Sequence, residues 1–162
     1  MTWTEPTARQ RLEMMKSSKT VAIVGASDNP ARASYFVSTY LMSSSHFKLY
    51  FINPRLETLL GQPVYKSLAD IPEHVDIVDV FRKPTDCMGI LEEAIAIKAS
   101  TLWLQLGISV PEVAEAGSKA GINVVMNRCL KIEHARFHGG LHLAGFNTGV
   151  ISSQRNAKKG EN

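Results

Sequence analysis

Phosphate binding is the chemistry that the residue types first suggest. In Lys19-Thr20-Val21-Ala22-Ile23-Val24-Gly25-Ala26-Ser27-Asp28-Asn29-Pro30-Ala31-Arg32, an apolar run stops at Gly25, the Ser27 hydroxyl follows, and Arg32 precedes a helical pattern. Where a strand turns into a helix, backbone N–H groups and the positive end of the helix dipole converge, which suits a phosphate. A glycine there also serves the tight turn of any strand-to-helix connection, so both roles stand for Gly25. Further cations follow other apolar runs: Arg55 after Asn53-Pro54, and Arg82-Lys83 after Val80-Phe81. Together with Arg32 they would offset several negative charges. Gln105 interrupts an apolar run just before Gly107, and a buried amide there needs a partner, either ligand or backbone. Cys129 sits beside Arg128, where a thiol has either a nucleophilic role or that of a small hydrophobe. His134, His138 and His142 recur at spacing four, but Gly139 and Gly140 break the helix that would align them, so no metal site is expected. No Gly-x-Ser-x-Gly elbow or Walker loop is present, and no catalytic residue is assigned.

These residues need a frame to hold them. Apolar runs at Thr20–Val24, Phe47–Ile52, Val75–Arg82, Thr101–Gly107 and Ile122–Met126 read as strands. Between them lie helical patterns: Ser34 capping Tyr35–Met42 with Phe36, Val37, Tyr40 and Leu41 on one face, then Pro84 opening a stripe of Met88, Leu91, Ala94 and Ile95. Pro111 starts another helix with Val113, Ala116 and Ala120 inward, and Gly121 ends it. A helix before the first strand (Leu12, Met15) and one over Ile132–Phe137 complete the set, and Gly61–Pro72 is a connector with one helical turn. Alternating strands and helices predict an α/β domain of three layers: a doubly wound parallel sheet of about five strands with helices on both faces. Ligands in such sheets sit beyond the carboxyl ends of the strands, where every candidate named above falls.

The 162 residues suffice for one domain: 1–18 as a helical segment, 19–153 as the domain, 154–162 as a flexible tail. A net charge of +3 is too small to argue for nucleic acid, and no apolar run reaches the roughly 18 to 20 residues of a membrane span. The start lacks the order of a secretory signal, and two unpatterned cysteines, Cys87 and Cys129, suit free thiols in a reducing compartment, so a cytoplasmic location is expected. A helical face or the C-terminal extension offers a route to homo-oligomers or a protein partner.

A dinucleotide site of the usual kind wants Gly-x-Gly-x-x-Gly after the first strand and an acid after the second. Here Ser27 and Pro30 replace the glycines and Asn53 the acid, which disfavours NAD. Arg55 would instead attract a ribose phosphate, carried by NADP at the 2′ position and by coenzyme A at the 3′ position. The motifs Val24-Gly25-Ala26-Ser27 with Arg32, Asn53-Pro54, Gly61-Gln62-Pro63-Val64-Tyr65, Ser67-Leu68-Ala69-Asp70-Ile71-Pro72, Val75–Arg82, Trp103–Gly107 and Val124–Cys129 span nearly the whole chain. In these the chain resembles the small single-domain CoA-binding proteins, which are similar to the N-terminal domain of the succinyl-CoA synthetase alpha subunit.

The resemblance implies a Rossmann-type domain that binds coenzyme A or an acyl-CoA. The nucleotide end would lie across Gly25, Ala26, Ser27, Arg32 and the Asn53-Pro54-Arg55 corner. The pantetheine arm would run past Val80-Phe81-Arg82 and Gln105-Leu106-Gly107, and Cys129 is counted among the binding residues. Two departures stand out: Asn127 where the family usually has Asp, and Arg55 where Lys is common. Ligase chemistry is not implied, because the phosphohistidine domain and the ATP-binding partner of such synthetases have no counterpart in 162 residues. Two other readings remain open: a small NADP-linked oxidoreductase, and a thiol protein in which Cys129 forms a mixed disulfide with coenzyme A.

Overall fold

A computed structural model describes residues 2–138 of the chain. In chain order its elements are α1 (Ala8–Ser17), β1 (Thr20–Val24), α2 (Ala33–Ser44), β2 (Lys48–Ile52), β3 (Thr58–Leu59) and β4 (Gln62–Tyr65). There follow β5 (Ile77–Val80), α3 (Cys87–Ala96), β6 (Thr101–Leu104), α4 (Pro111–Lys119), β7 (Asn123–Val125) and α5 (Leu130–His138). The strands form one sheet in the order β3-β4-β2-β1-β5-β6-β7, parallel throughout except for the β3–β4 pair. All five residues of β1 are buried because helices cover both faces of the sheet, which is why its sequence is apolar without alternation. On one face Cys87, Ile90, Leu91 and Val113 of α3 and α4 pack on Ala22, Val78 and Leu102. On the other, Met15, Val37, Leu41 and Leu130 of α1, α2 and α5 pack on Ile23, Phe51 and Trp103.

The doubly wound sheet expected from the sequence is present, with seven strands rather than five. The additional pair, β3 and β4, arises inside the connector, whose single helical turn is the 3-10 segment Leu68–Asp70. Two strands this short, one of them holding Pro63, carry almost no periodicity to read. Three helix faces also differ in detail. Arg32 rather than Ser34 is the N-cap of α2, and Ser34 is the second residue of the helix, buried. Phe36 is 55% exposed, and the inward stripe of α3 is Cys87, Ile90, Leu91 and Ala94, with Met88 and Ile95 outward. Ala120 is exposed, whereas Ala114 and Gly117 face the sheet from α4. Among the described residues no helix is long and apolar enough to cross a membrane.

The N-terminal helix is tied into this core. Thr7 and Gln10 form a reciprocal capping box at its start (3.1 and 2.8 Å), Met15 is fully buried, and Arg11 donates to Glu133 of α5 at 2.7 Å. His134, also buried, bonds Tyr40 Oη through Nδ1 at 2.9 Å and stacks on His138 at 4.2 Å. Burial, then the neighbouring His138 and His46, push its pKa from 6.5 down to about 4. Below pH 6.5 the unfolded chain takes up a proton that the folded imidazole refuses until near pH 4. The stability this group confers is therefore present above pH 6.5 and lost as the pH falls toward 4. Denaturant unfolding should show His134→Gln losing about 1 to 2 kcal/mol less than the native chain between pH 7 and pH 5. Parallel losses in the two proteins would rule the residue out as the cause. His142 lies outside the described residues, and among those described no group of three His, Cys, Asp or Glu side chains is arranged to hold a metal.

Candidate ligand-binding cleft

The strand order reverses between β1 and β5, so the ends of these two strands open the crevice. Gly25 ends β1 with φ +88°, and a Cβ built on it would meet the Phe81 carbonyl oxygen at 2.6 Å. The glycine is thus required by the fold itself, as both turn and close approach. Gly25 N and Ala26 N each donate to Ile52 O at 3.2 Å. Asn53 then ties the two loops together: Nδ2 donates to Ala26 O and Oδ1 accepts from Arg55 N, both at 2.7 Å. An acid at this position could make only the second of these bonds. Ser27 Oγ accepts from Asn29 N at 3.0 Å, closing the loop that leads to Arg32.

Above these loops lies a cleft of about 740 Å³. It gathers most of the residues singled out in the sequence: Gly25, Ala26, Ser27 and Arg32 from the first loop, Asn53 and Arg55 from the second. Phe81, Arg82, Gln105 and Cys129 complete the opposite wall. A smaller hollow of about 260 Å³ adjoins it through shared Gly25 and Arg82, and Pro54 lines this second space together with Lys66 and Glu93. Two singled-out residues line neither. Val80 is fully buried in the core beneath, and Gly107, at φ +91°, donates its N–H to Asn127 Oδ1 at 2.7 Å. Asn127 itself has φ +58°, a conformation that Asn tolerates well, and its side-chain oxygen makes a bond that the usual Asp would also accept.

The cations differ in how free they are. Arg82 is held by Asp86, Nε at 3.1 Å and Nη2 at 2.9 Å from Oδ2. Arg32 and Arg55 are exposed and have no ion-pair partner among the described residues. No side chain among the described residues caps the first turn of α2, and Ala33 and Ser34 of that turn line the cleft. Leu106, between Gln105 and Gly107, lines the far wall, and the structure adds Ile108 there and the α2 pair Ala33 and Ser34, each within two residues of one already singled out. Gln105 resolves toward backbone, its Oε1 accepting from Leu130 N at 3.0 Å. Trp103 is core, with Nε1 donating to Arg128 O at 2.8 Å. These two bonds set where α5 begins and so bring Cys129, a half-buried free thiol, to the cleft wall. Cys87, by contrast, is buried, and burial followed by the Asp86 charge raises its pKa.

A doubly wound parallel sheet with its cleft at the switch point defines a Rossmann-like α/β domain. Residues 19–135 match the family described as CoA binding domain, and the chain belongs to that family. The uncharacterized protein YneT of Bacillus subtilis (strain 168) is 33% identical over 130 residues, 80% of this chain and 96% of that one. The solved structure of a hypothetical protein from Pyrococcus horikoshii OT3 superposes with a TM-score of 0.76 at 35% identity, covering 84% of this chain and 98% of the other. The ADP-forming 4-hydroxybutyrate–CoA ligase of Nitrosopumilus maritimus is 28% identical over 109 residues, 67% of this chain but 16% of the ligase.

Proposed function

We propose that the chain binds coenzyme A or an acyl-CoA in this cleft as a non-catalytic binding, sensing or carrier module of the cytoplasm. One observation carries the reading: the uncapped first turn of α2 opens between Arg32 and Arg55, two guanidiniums without ion-pair partners among the described residues. A helix N-terminus flanked by free arginines suits a ligand with several phosphates. In this reading the pyrophosphate lies on the α2 turn, Arg55 takes the 3′-phosphate, and the pantetheine arm follows Phe81 and Leu106 toward Cys129. Family membership supports the same ligand, and the ligase relative is named for chemistry on coenzyme A.

Isothermal titration of the reduced protein with coenzyme A, dephospho-CoA, NADP and NAD tests it. Micromolar affinity for coenzyme A is expected, weakened roughly tenfold or more without the 3′-phosphate. Arg55→Ala should lower coenzyme A affinity by a similar factor and leave dephospho-CoA binding nearly unchanged. Preferential binding of NADP would replace the proposal with the oxidoreductase, and equal losses for both CoA forms would remove Arg55 from the 3′-phosphate.

A second reading rests on Cys129, whose thiol lines the same cleft. Its thiolate would attack CoA disulfide, forming a protein–CoA disulfide and releasing one CoA thiolate, with no further oxidant. Intact mass should then rise on incubation with CoA disulfide and return with reductant. The same increment in Cys129→Ser would exclude this thiol.

A further inference from the structure

The cleft divides its chemistry along the sheet. Its charged lining residues are Arg32, Arg55 and Arg82, and among the described residues no Asp, Glu or Lys lines it. Arg32 and Arg55 belong to the loops after β1 and β2, and Arg82, held by Asp86, to the loop after β5. The strand order β2-β1-β5-β6 puts the loop after β6 at the opposite end. There the lining is Gln105, Leu106, Ile108 and Cys129, with Phe81 between the two ends, and none of these side chains carries a fixed charge. Arg128, the cation next to Cys129 in sequence, is paired with Glu5.

A single exposed leucine is ordinary on a protein surface. Leu106 differs in its place and in how firmly it is held there. At 63% it is the most exposed large apolar side chain among the described residues, and it lines the cleft. The loop that carries it is pinned from within. Ile108 N donates to Gln105 O at 2.9 Å, Asn127 N to Ile108 O at 3.0 Å, and Gly107 N to Asn127 Oδ1 at 2.7 Å. The Gln105 side-chain oxygen is taken by Leu130 N. The loop thus spends these polar groups on its own support and presents apolar surface at a fixed place, which suits an apolar group of a ligand.

Length decides which part of a ligand arrives there. Neighbouring strands lie about 4.8 Å apart, so β6 stands about 10 Å from β1. A pantetheine arm, comparable with about four extended residues, reaches about 13 Å. With the pyrophosphate on the α2 turn, the sulfur comes to the loop after β6, and whatever it carries continues onto Leu106 and Ile108.

We propose that the cleft selects an acyl-CoA whose acyl group is apolar, over free coenzyme A and over acyl groups that bear charge. The inference rests on the coenzyme A reading above and makes Leu106 the residue that sets specificity. A carboxylate at the end of the acyl chain would lose water there without gaining a cation.

Isothermal titration of the reduced full chain with coenzyme A and with its acetyl, butanoyl and succinyl thioesters tests it. A buried methylene adds about fourfold in affinity, so butanoyl-CoA should bind roughly tenfold tighter than acetyl-CoA. Succinyl-CoA, of the same chain length, should bind no tighter than acetyl-CoA. In Leu106→Asn the ratio of butanoyl to acetyl affinity should fall to about twofold or less, and Leu106→Met should restore it. Ile95→Asn, at an exposed apolar residue of α3 outside the cleft, should keep the native ratio. Binding of coenzyme A with equal affinity for the acetyl and butanoyl forms would overturn this inference and leave the coenzyme A reading intact. So would tighter binding of succinyl-CoA than of butanoyl-CoA, or a ratio that Leu106→Asn leaves at its native value. No binding of coenzyme A or of any thioester would overturn the coenzyme A reading itself, and this inference with it.

Discussion

Asp79→Leu is expected to stabilise the chain at pH 7 by about 2 to 4 kcal/mol. Asp79 sits in the middle of β5, paired in register with Ile23 of β1 and Trp103 of β6, and is fully buried. Neither carboxylate oxygen has a hydrogen-bond partner among the described residues, and the Ser38 hydroxyl of α2 is likewise buried without one. Burial raises the Asp79 pKa well above its ordinary value, so the folded chain retains a proton that the unfolded chain releases. Its contribution to stability is thus fully present below pH 3.8 and lost as the pH rises toward the folded pKa, at about 1.4 kcal/mol per pH unit. Leucine has a similar branched shape and nothing to ionise. Its advantage should be largest above neutral pH and shrink toward pH 4. Urea denaturation at pH 4.5 and 7.5 measures this directly. A gain that does not depend on pH, or a loss at both, would mean that Asp79 has a partner in solution.

Gly25→Ala should have the largest opposite effect, a loss of about 3 kcal/mol or more, together with most of the affinity for any ligand of the cleft. Two causes add. The added methyl would stand 2.6 Å from a backbone oxygen, Phe81 O, which is held in the sheet by the bond from Phe81 N to Val24 O at 2.8 Å. The backbone also has φ +88°, a conformation that L residues rarely adopt. Relief requires the loop to move, carrying Ala26, Ser27 and Arg32 out of place. Gly61 separates the causes, since it has φ +78° with nothing within 4 Å of a built Cβ. Gly61→Ala should lose only about 1 kcal/mol and leave cleft binding intact. Equal losses at the two positions would show that close approach to Phe81 contributes nothing.

Much of this was legible in one dimension because burial on both faces leaves an unmistakable mark. Apolar runs alternating for the most part with helical patterns read as a parallel sheet wrapped by helices, and that topology places the ends of its parallel strands on one rim. Ten of the thirteen residues singled out from the sequence line the main cleft for that reason, and Pro54 lines the hollow beside it. Val80 and Gly107 do not, because closeness in sequence to a strand end does not settle which way a residue faces. Val80 points inward, and the loop after β6 turns Gly107 toward Asn127.

The sequence by itself therefore determined the layered architecture, the rim that carries the cleft and the glycine at the end of β1. Periodicity and composition are local properties that a single chain displays. Tertiary structure alone decided which cations are free and which are held, as with Arg55 against Arg82, and that Gln105 serves the start of α5. It alone buried Asp79 without a hydrogen-bond partner among the described residues and left the start of β2 paired with β1 but not with β4. Each of these depends on what residues distant in sequence place opposite one another, and no spacing along the chain records that distance.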